Sequence, residues 1–442
     1  MIIRNEHGLA HSGANPGSFV NYARALRQFQ CYIEDPVATV DKVLAASPEF
    51  VMAHVLRAYL HLLGTEPGDV AIANANLQSA KQYGGDERER AHIRAVAHLA
   101  AGHWRRAGRV LEDIAIEHPH DLLALQVGHL VDFYTGNARM LRVRIARALP
   151  AWSADMPGYH ALLGMYAFGL EETAAYGSAE AVGHEAVELN PRDGWAQHAV
   201  AHVMEMQNRQ RDGIAWMRAN PDAWAKDSFF QVHNWWHLAL YHLELGEVDE
   251  VLALYDGPIY GERSTVVLDM VDASAMLWRL HLRGIDVGDR WQALADNWAP
   301  LAAAGNYAFN DVHAAMAFVG AGRSDRLNDI LEAQEAAVER NNDNAAFTRE
   351  VGRPLTLAIE AFGEADYARV VELIRAVREI AHRFGGSHAQ RDLLDLTLIE
   401  AALRAGLHMQ AKALCAERSA FRPESPLVKA FSARAADLSV AA

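Results

Sequence analysis

Cysteine is almost missing from this chain. Two occur in 442 residues, Cys31 and Cys415, near opposite ends. That excludes a disulfide framework and a cysteine-ligated zinc site. Long apolar runs are missing too. No stretch of 18 or more apolar residues occurs, and the opening MIIRNEHGLAHSG has no apolar segment of the signal-peptide kind. A membrane-spanning or exported chain is therefore not expected, and the cytoplasm is the expected location. Positive charge is in deficit: 41 Lys plus Arg stand against 56 Asp plus Glu, a net charge of −15. Such a surface repels polyanions, so a general nucleic-acid role is not expected. Strand patterning is the last absence, with no apolar–polar alternation standing out between Val51 and Leu438.

What recurs is helical spacing of apolar residues at i, i+3, i+4 and i+7, broken by Gly, Pro or Asn. LAAGHWRRAGRVLEDIAIEHPHD (99–121) has the layout of a tetratricopeptide unit. Gly102 opens its turn, Ala107 is the small residue where helices approach, and Pro119 ends the second helix. YGSAEAVGHEAVELNPRDGW (176–195) repeats it with Ala186 and Pro191. Gly102 and Gly136 lie one such period apart, whereas later turns at Gly322, Gly363 and Gly406 are wider spaced. The expected fold is all-α, an α-solenoid of seven or eight tetratricopeptide-like helix pairs, able to curl into a closed superhelix. Residues 1–20, with their Gly, Ser and Asn, read as a flexible lead-in. Residues 21–438 read as a single solenoid domain, with a terminal capping helix near Pro426.

Polar groups interrupt the apolar helix faces in the middle third. In WAQHAVAHVMEMQ (195–207), His198, His202 and Glu205 fall on one stripe at about 100° per residue. In QVHNWWHLALYHLELG (231–246), His233 and His237 share a face with Trp236 to one side, and His242 lies opposite. Two imidazoles at i, i+4 can supply two nitrogen ligands to one metal ion, although the pattern H-E-x-x-H is absent. In LDMVDASAMLWRLHL (268–282), Asp269 and Asp272 interrupt an apolar helix, where neighbouring carboxylates repel unless a cation or proton joins them. YAFNDVHAAMAF (307–318) offers Asn310 or Asp311 as a helix cap, with His313 in the first turn. FGGSHAQRDLLDL (384–396) pairs Ser387 with Gln390 as a capping box and sets Arg391 where it could meet an anion.

Each feature has a plain structural account. Histidines in helical repeats mostly pack, the tryptophans serve inter-helix contact, and Arg391 could pair with Asp392 or Asp269 with Arg279. Yet the two histidine pairs lie about one repeat apart. Corresponding faces of successive repeats stack, so both pairs could line one concave wall with Asp269 or Asp272 on the next repeat.

The strings HAVAHVMEM, HNWWHLALY, LDMVDASAMLWRL, FNDVHAAMA and GGSHAQRDL, in this order, resemble the tetratricopeptide repeat protein 38 family. The resemblance runs from about residue 30 to 435 and takes in EFVMAHVLRAYL and HPHDLLALQVGH. It implies a helical-repeat protein of ill-defined activity. Position by position it touches His129, His198, His202, Glu205, His233, Asn234, His237, Asp269, Asp272, Asp311, His313, Arg391 and Asp392; it supports neither His388 nor His242.

These readings combine into an expectation of a metal-dependent enzyme acting on a small molecule, favouring amide or ester hydrolysis. His198, His202, His233, His237 and Asp269 would be ligands of Zn, Fe or Mn. Glu205, Asp272, His313 and Asp311 would be catalytic, with Glu205 as general base. Arg391, Asn234, Trp236 and His129 would bind substrate, Arg391 taking a carboxylate. No nucleotide or organic cofactor is indicated, and a homodimer is plausible. The alternatives are a non-catalytic scaffold for a peptide or partner protein, or a binding protein for a small acid.

Overall fold

A computed structural model describes residues 1–441. It is all-α apart from one small hairpin, and each part is assembled from successive antiparallel helix pairs of tetratricopeptide-like layout. The chain divides into two compact units, where the sequence reading has one uninterrupted domain. The first comprises Met1–Val203 with Asn220–Gln231, the second Met204–Ala219 with Val232–Ala442.

The first unit opens with Ile2–Arg4 paired antiparallel to Ala10–Ser12, so the expected flexible lead-in is ordered. Two anchors hold it. His11 is buried against the rings of Phe19, Tyr22 and Phe50. Ser12 donates from its amide and hydroxyl to the Glu89 carboxylate at 2.8 and 2.6 Å. Short polar segments read as loops from composition because such partners lie far along the chain.

The repeat logic is visible in one pair. Asp86 caps Glu87–Ala100 and Glu89 closes the box from the N3 position. Gly102 takes φ 75°, the left-handed turn a side chain disfavours, and Trp104–Glu117 returns antiparallel. Asp121 then caps Leu122–Tyr134. Ala107 and Ala186 are fully buried where helices approach. Bonds between equivalent positions of neighbouring repeats recur at a separation of 33 residues: Tyr59 to His92, Arg88 to Asp121, Trp152 to the Pro119 carbonyl, and His160 to Asp193. That spacing is the repeat written in hydrogen bonds.

The second unit buries Trp236, Trp278, Phe318 and Phe347. Trp278 Nε1 donates to Thr397 Oγ1 at 3.0 Å, tying Val267–Leu282 to His388–Arg404. Ser387 and Gln390 form the capping box read from the sequence. The last helix, Pro426–Ala441, starts at Pro426 as read. Ala308–Gly320 starts earlier than its sequence suggests, which corrects the capping role given to Asn310 or Asp311. The Ala308 amide donates instead to Asn344 Oδ1 at 2.9 Å, a cap from 36 residues away.

Among the described residues there are 25 α-helices, more than seven or eight pairs supply. Several turns lack the glycine that marks them: Ala174, Asn208 and Ala365 take positive φ themselves. No described helix is long and apolar enough to cross a membrane.

Candidate functional site

The two histidine pairs belong to different units. In the first unit His198 and His202 lie on Gly194–Met206, their ring centroids 4.3 Å apart and nearly perpendicular. Phe168 packs on both rings, while Trp195 and Phe230 pack on His198. His202 Nδ1 is 3.7 Å from Glu171 Oε2. His129 is buried against Phe168 and Trp195. Burial, then the Arg144 charge, lowers it to about 3, so it is neutral at physiological pH.

In the second unit Gln231–Glu244 places His233 and His237 one turn apart, with ring centroids at 4.9 Å and perpendicular planes. A ring nitrogen of each lies within 4.8 Å of one in the other. Both pair with carboxylates through Nδ1. His233 meets Asp272 Oδ2 at 2.8 Å and Oδ1 at 3.0 Å, and His237 meets Glu205 Oε2 at 3.1 Å. An ionised carboxylate only accepts, so Nδ1 carries the proton and Nε2 the lone pair. His237 is fully buried and held well below its ordinary value, first by that burial and then by the charges of His233 and Arg279.

Asp272 and Arg279 are seven residues apart on Val267–Leu282, two turns along one face. While Asp272 reaches His233, Arg279 places its guanidinium 5.2 Å from the Trp236 centroid. The other side of the contact is a stack: Trp236 lies on His233 at 5.3 Å and 16°. Carboxylate, imidazole, indole and guanidinium thus form one continuous polar seam in a buried wall.

Arg279, at the end of this seam, also lines a small pocket. Four arginines line it: Arg279, Arg283, Arg418 and Arg422. Against them stand three carboxylates, Glu205, Glu244 and Asp392. Arg418 grips Asp392 through both terminal nitrogens at 2.6 and 2.9 Å. Burial pushes the Asp392 carboxyl up, but Arg418 and Arg422 outweigh it and hold the group well below the carboxylate range. Arg422 is 3.8 Å from Glu205 Oε1, a loose contact.

Arg279 and Arg283 differ from that pair. Arg279 is 3% exposed and donates to the backbone carbonyls of Ala275 and Ala389 at 3.2 and 2.7 Å. Arg283 donates to the Leu243 carbonyl at 2.6 Å. Neither forms a carboxylate ion pair among the described residues. Burial brings Arg279 down to about 10 even with Asp392 and Glu205 nearby, and burial lowers Arg283 as well. The pocket therefore carries more cation than its own carboxylates neutralise.

Asn234 is fully buried on the histidine helix. Asp269 is half-buried in the first turn of its helix and accepts from Ser264 Oγ at 2.7 Å, while Arg279, its suggested partner, points its donors elsewhere. His313 donates Nδ1–H to the Phe309 carbonyl at 2.8 Å, and burial lowers it to about 4. Asp311 is buried, bonded to Gln334, and raised to about 7 by desolvation. Neither Asp269 nor His313 is brought to the histidine nitrogens as a potential ligand. Arg391, expected to hold a carboxylate, donates to the Gly386 carbonyl, and its neighbour Asp392 faces the pocket.

The four pocket arginines were not singled out from sequence as ligand-binding. One signal was present: Arg279 interrupts the apolar run AMLWRLHL, and Arg418 and Arg422 stand at i, i+4. Nothing local shows that these meet.

No family model matches the chain. Among solved structures it resembles the human IFIT1 dimer with m7Gppp-AAAA, at 14% identity over 99% of this chain and 96% of that one, with a TM-score of 0.40. It resembles yeast Tom70 at 13% identity over 82% and 90%, with a TM-score of 0.33. The P58(IPK) TPR domain matches at 12% identity over 88% and 98%, with a TM-score of 0.22. No ligand or partner is transferred from likenesses of that strength.

Proposed function

We propose that this chain is a helical-repeat binding protein of the tetratricopeptide repeat protein 38 type, whose second unit holds a small carboxylic acid. The observation that carries it is Arg279, a buried guanidinium on the wall of a pocket, with two carbonyls for partners and no carboxylate. A buried charge is retained against its desolvation cost when something else supplies the counter-charge. An acid in the pocket does that, and Arg presents the planar fork that fits a carboxylate. Binding is favoured over hydrolysis because Glu205, the expected general base, already faces His237 through one oxygen and Arg422 through the other.

Calorimetric titration of the purified chain with mono- and dicarboxylic acids and with inorganic phosphate tests this. Saturable binding of a carboxylic acid is expected, weakened at least about tenfold in Arg279→Met, the loss of one charge-assisted hydrogen-bond pair. Circular dichroism of the variant should match the parent. Acid binding that Arg279→Met leaves untouched would end the proposal, as would phosphate binding without any carboxylate binding.

A further inference from the structure

A second feature of the same unit stands on different atoms and goes beyond acid binding. We infer that His233 and His237 are two protein ligands of a divalent transition-metal ion, each fixed through Nδ1 by a carboxylate.

Three observations carry this. The imidazoles sit one turn apart on one helix with ring nitrogens within 4.8 Å, close enough to share an ion. Each Nδ1 is engaged by a different carboxylate, Asp272 at 2.8 Å and Glu205 at 3.1 Å. This is the outer-shell arrangement that fixes the tautomer of a metal-bound histidine, turns Nε2 into the donor and raises its basicity. The side chains are also set rather than mobile: Trp236 stacks on His233 and packs edge-on to His237. A packing role alone would require one histidine to be satisfied, not two on the same face with matched carboxylates. Nitrogen ligands without thiolate suit Zn, Fe or Mn, and water or a bound acid fills the positions that the histidines leave.

The site carries charge to match. An ion of charge +2 beside Glu205 and Asp272 is balanced by their two carboxylates.

The test uses the full chain, purified without chelator or nickel resin. Elemental analysis is expected to find a transition metal near one equivalent. After chelator treatment, titration with Zn²⁺ should saturate, and Co²⁺ should give a visible d–d band that Zn²⁺ displaces. The double variant His233→Ala/His237→Ala should lose the band. If that variant fails to fold, Asp272→Asn and Glu205→Gln keep the shapes, and each should weaken Zn²⁺ binding about 10- to 100-fold, as outer-shell substitutions do. A wild-type chain that takes up neither Zn²⁺ nor Co²⁺ overturns the inference. So does a folded variant of any of these four positions that binds both as the parent does.

Discussion

Replacing Arg279 with methionine should leave the ligand-free protein as stable as before, to within about 1 kcal/mol. That is the reverse of the usual result for a buried arginine. Burial brings the Arg279 guanidinium from 12.5 to about 10. At 1.36 kcal/mol per pH unit, keeping the charge in the fold costs about 3 kcal/mol. The sign follows from which state holds the proton more tightly. The folded value is the lower one, so the cost is complete at pH 7 and is relieved only as pH rises from about 10 towards 12.5. On the other side stand the contact with Trp236, about 0.5–2 kcal/mol, and two carbonyl hydrogen bonds of about 1 kcal/mol each. The Ala275 and Ala389 carbonyls lie inside helices, where the amide four residues on also serves them, so neither is orphaned. Asp392 keeps Arg418 and Arg422. The expected outcome for Arg279→Met is a change within about 1 kcal/mol of zero, because the relieved desolvation cost and the lost contacts nearly offset each other. Urea denaturation of acid-free protein at pH 7 measures it. A loss of about 3 kcal/mol or more, the cost of breaking a buried charge network, would make Arg279 a structural strut and remove the basis of the acid pocket.

Other perturbations read other parts of the fold. Gly320→Ala should cost about 1–3 kcal/mol, because its new methyl would sit 2.3 Å from the ring of buried Trp291; thermal melting reports it. Asp311→Asn should stabilise the second unit most at pH 8. Its folded value of about 7 lies above 3.8, so the cost of ionisation grows as pH rises between them, to about 4 kcal/mol, and is absent near pH 4. Urea midpoints at the two pH values check this. His129→Phe should flatten the acid limb of stability. His129 stays neutral in the fold down to about pH 3 while the unfolded chain takes up a proton below about 6.5, so the wild type loses about 2 kcal/mol between pH 7 and 5 that the variant keeps.

The helix class was readable because it rests on local periodicity. Gly102, Ala107 and Pro119 mark a turn, a close approach and an end, all within one segment. Asp121 shows the limit: as a cap it is local, yet it also binds Arg88 and His92 of the preceding repeat. The same limit governs the site. His233 and His237 share a helix face by arithmetic, and Asp272 stands out in an apolar helix. That Asp272 faces His233, 39 residues away, follows only from how the repeats pack. Glu205 was read with the histidines of its own helix, whereas its Oε2 meets His237. The arginine pocket was the least legible. It gathers Arg279 and Arg283 from the end of one helix and Arg418 and Arg422 from the end of another, and no spacing within either helix encodes the meeting of the two pairs. Arg391 follows a capping box, a local cue to an anion site, whereas the cation that meets a carboxylate here is Arg418, on Asp392.

Glu205 belongs to both proposed sites, and that makes them one system. Its Oε2 faces His237 Nδ1 at 3.1 Å, and its Oε1 lies 3.8 Å from Arg422. An acid that engages Arg422 neutralises the cation beside Glu205, and the carboxylate then acts on His237 with less of its charge offset. Nε2 becomes the stronger donor and the metal is held more tightly. Linkage requires the converse: metal must tighten acid by the same factor, about 5- to 150-fold for coupling energies of the usual 1–3 kcal/mol. Zn²⁺ titrations with and without saturating acid, and acid titrations with and without Zn²⁺, measure the factor twice. Glu205→Gln keeps the shape and removes the charge, so it should weaken the metal, strengthen the acid whose arginines it no longer offsets, and bring the factor close to one. Tightening that survives in Glu205→Gln would mean the two ligands communicate by direct contact, and Glu205 would be no more than a neighbour of each.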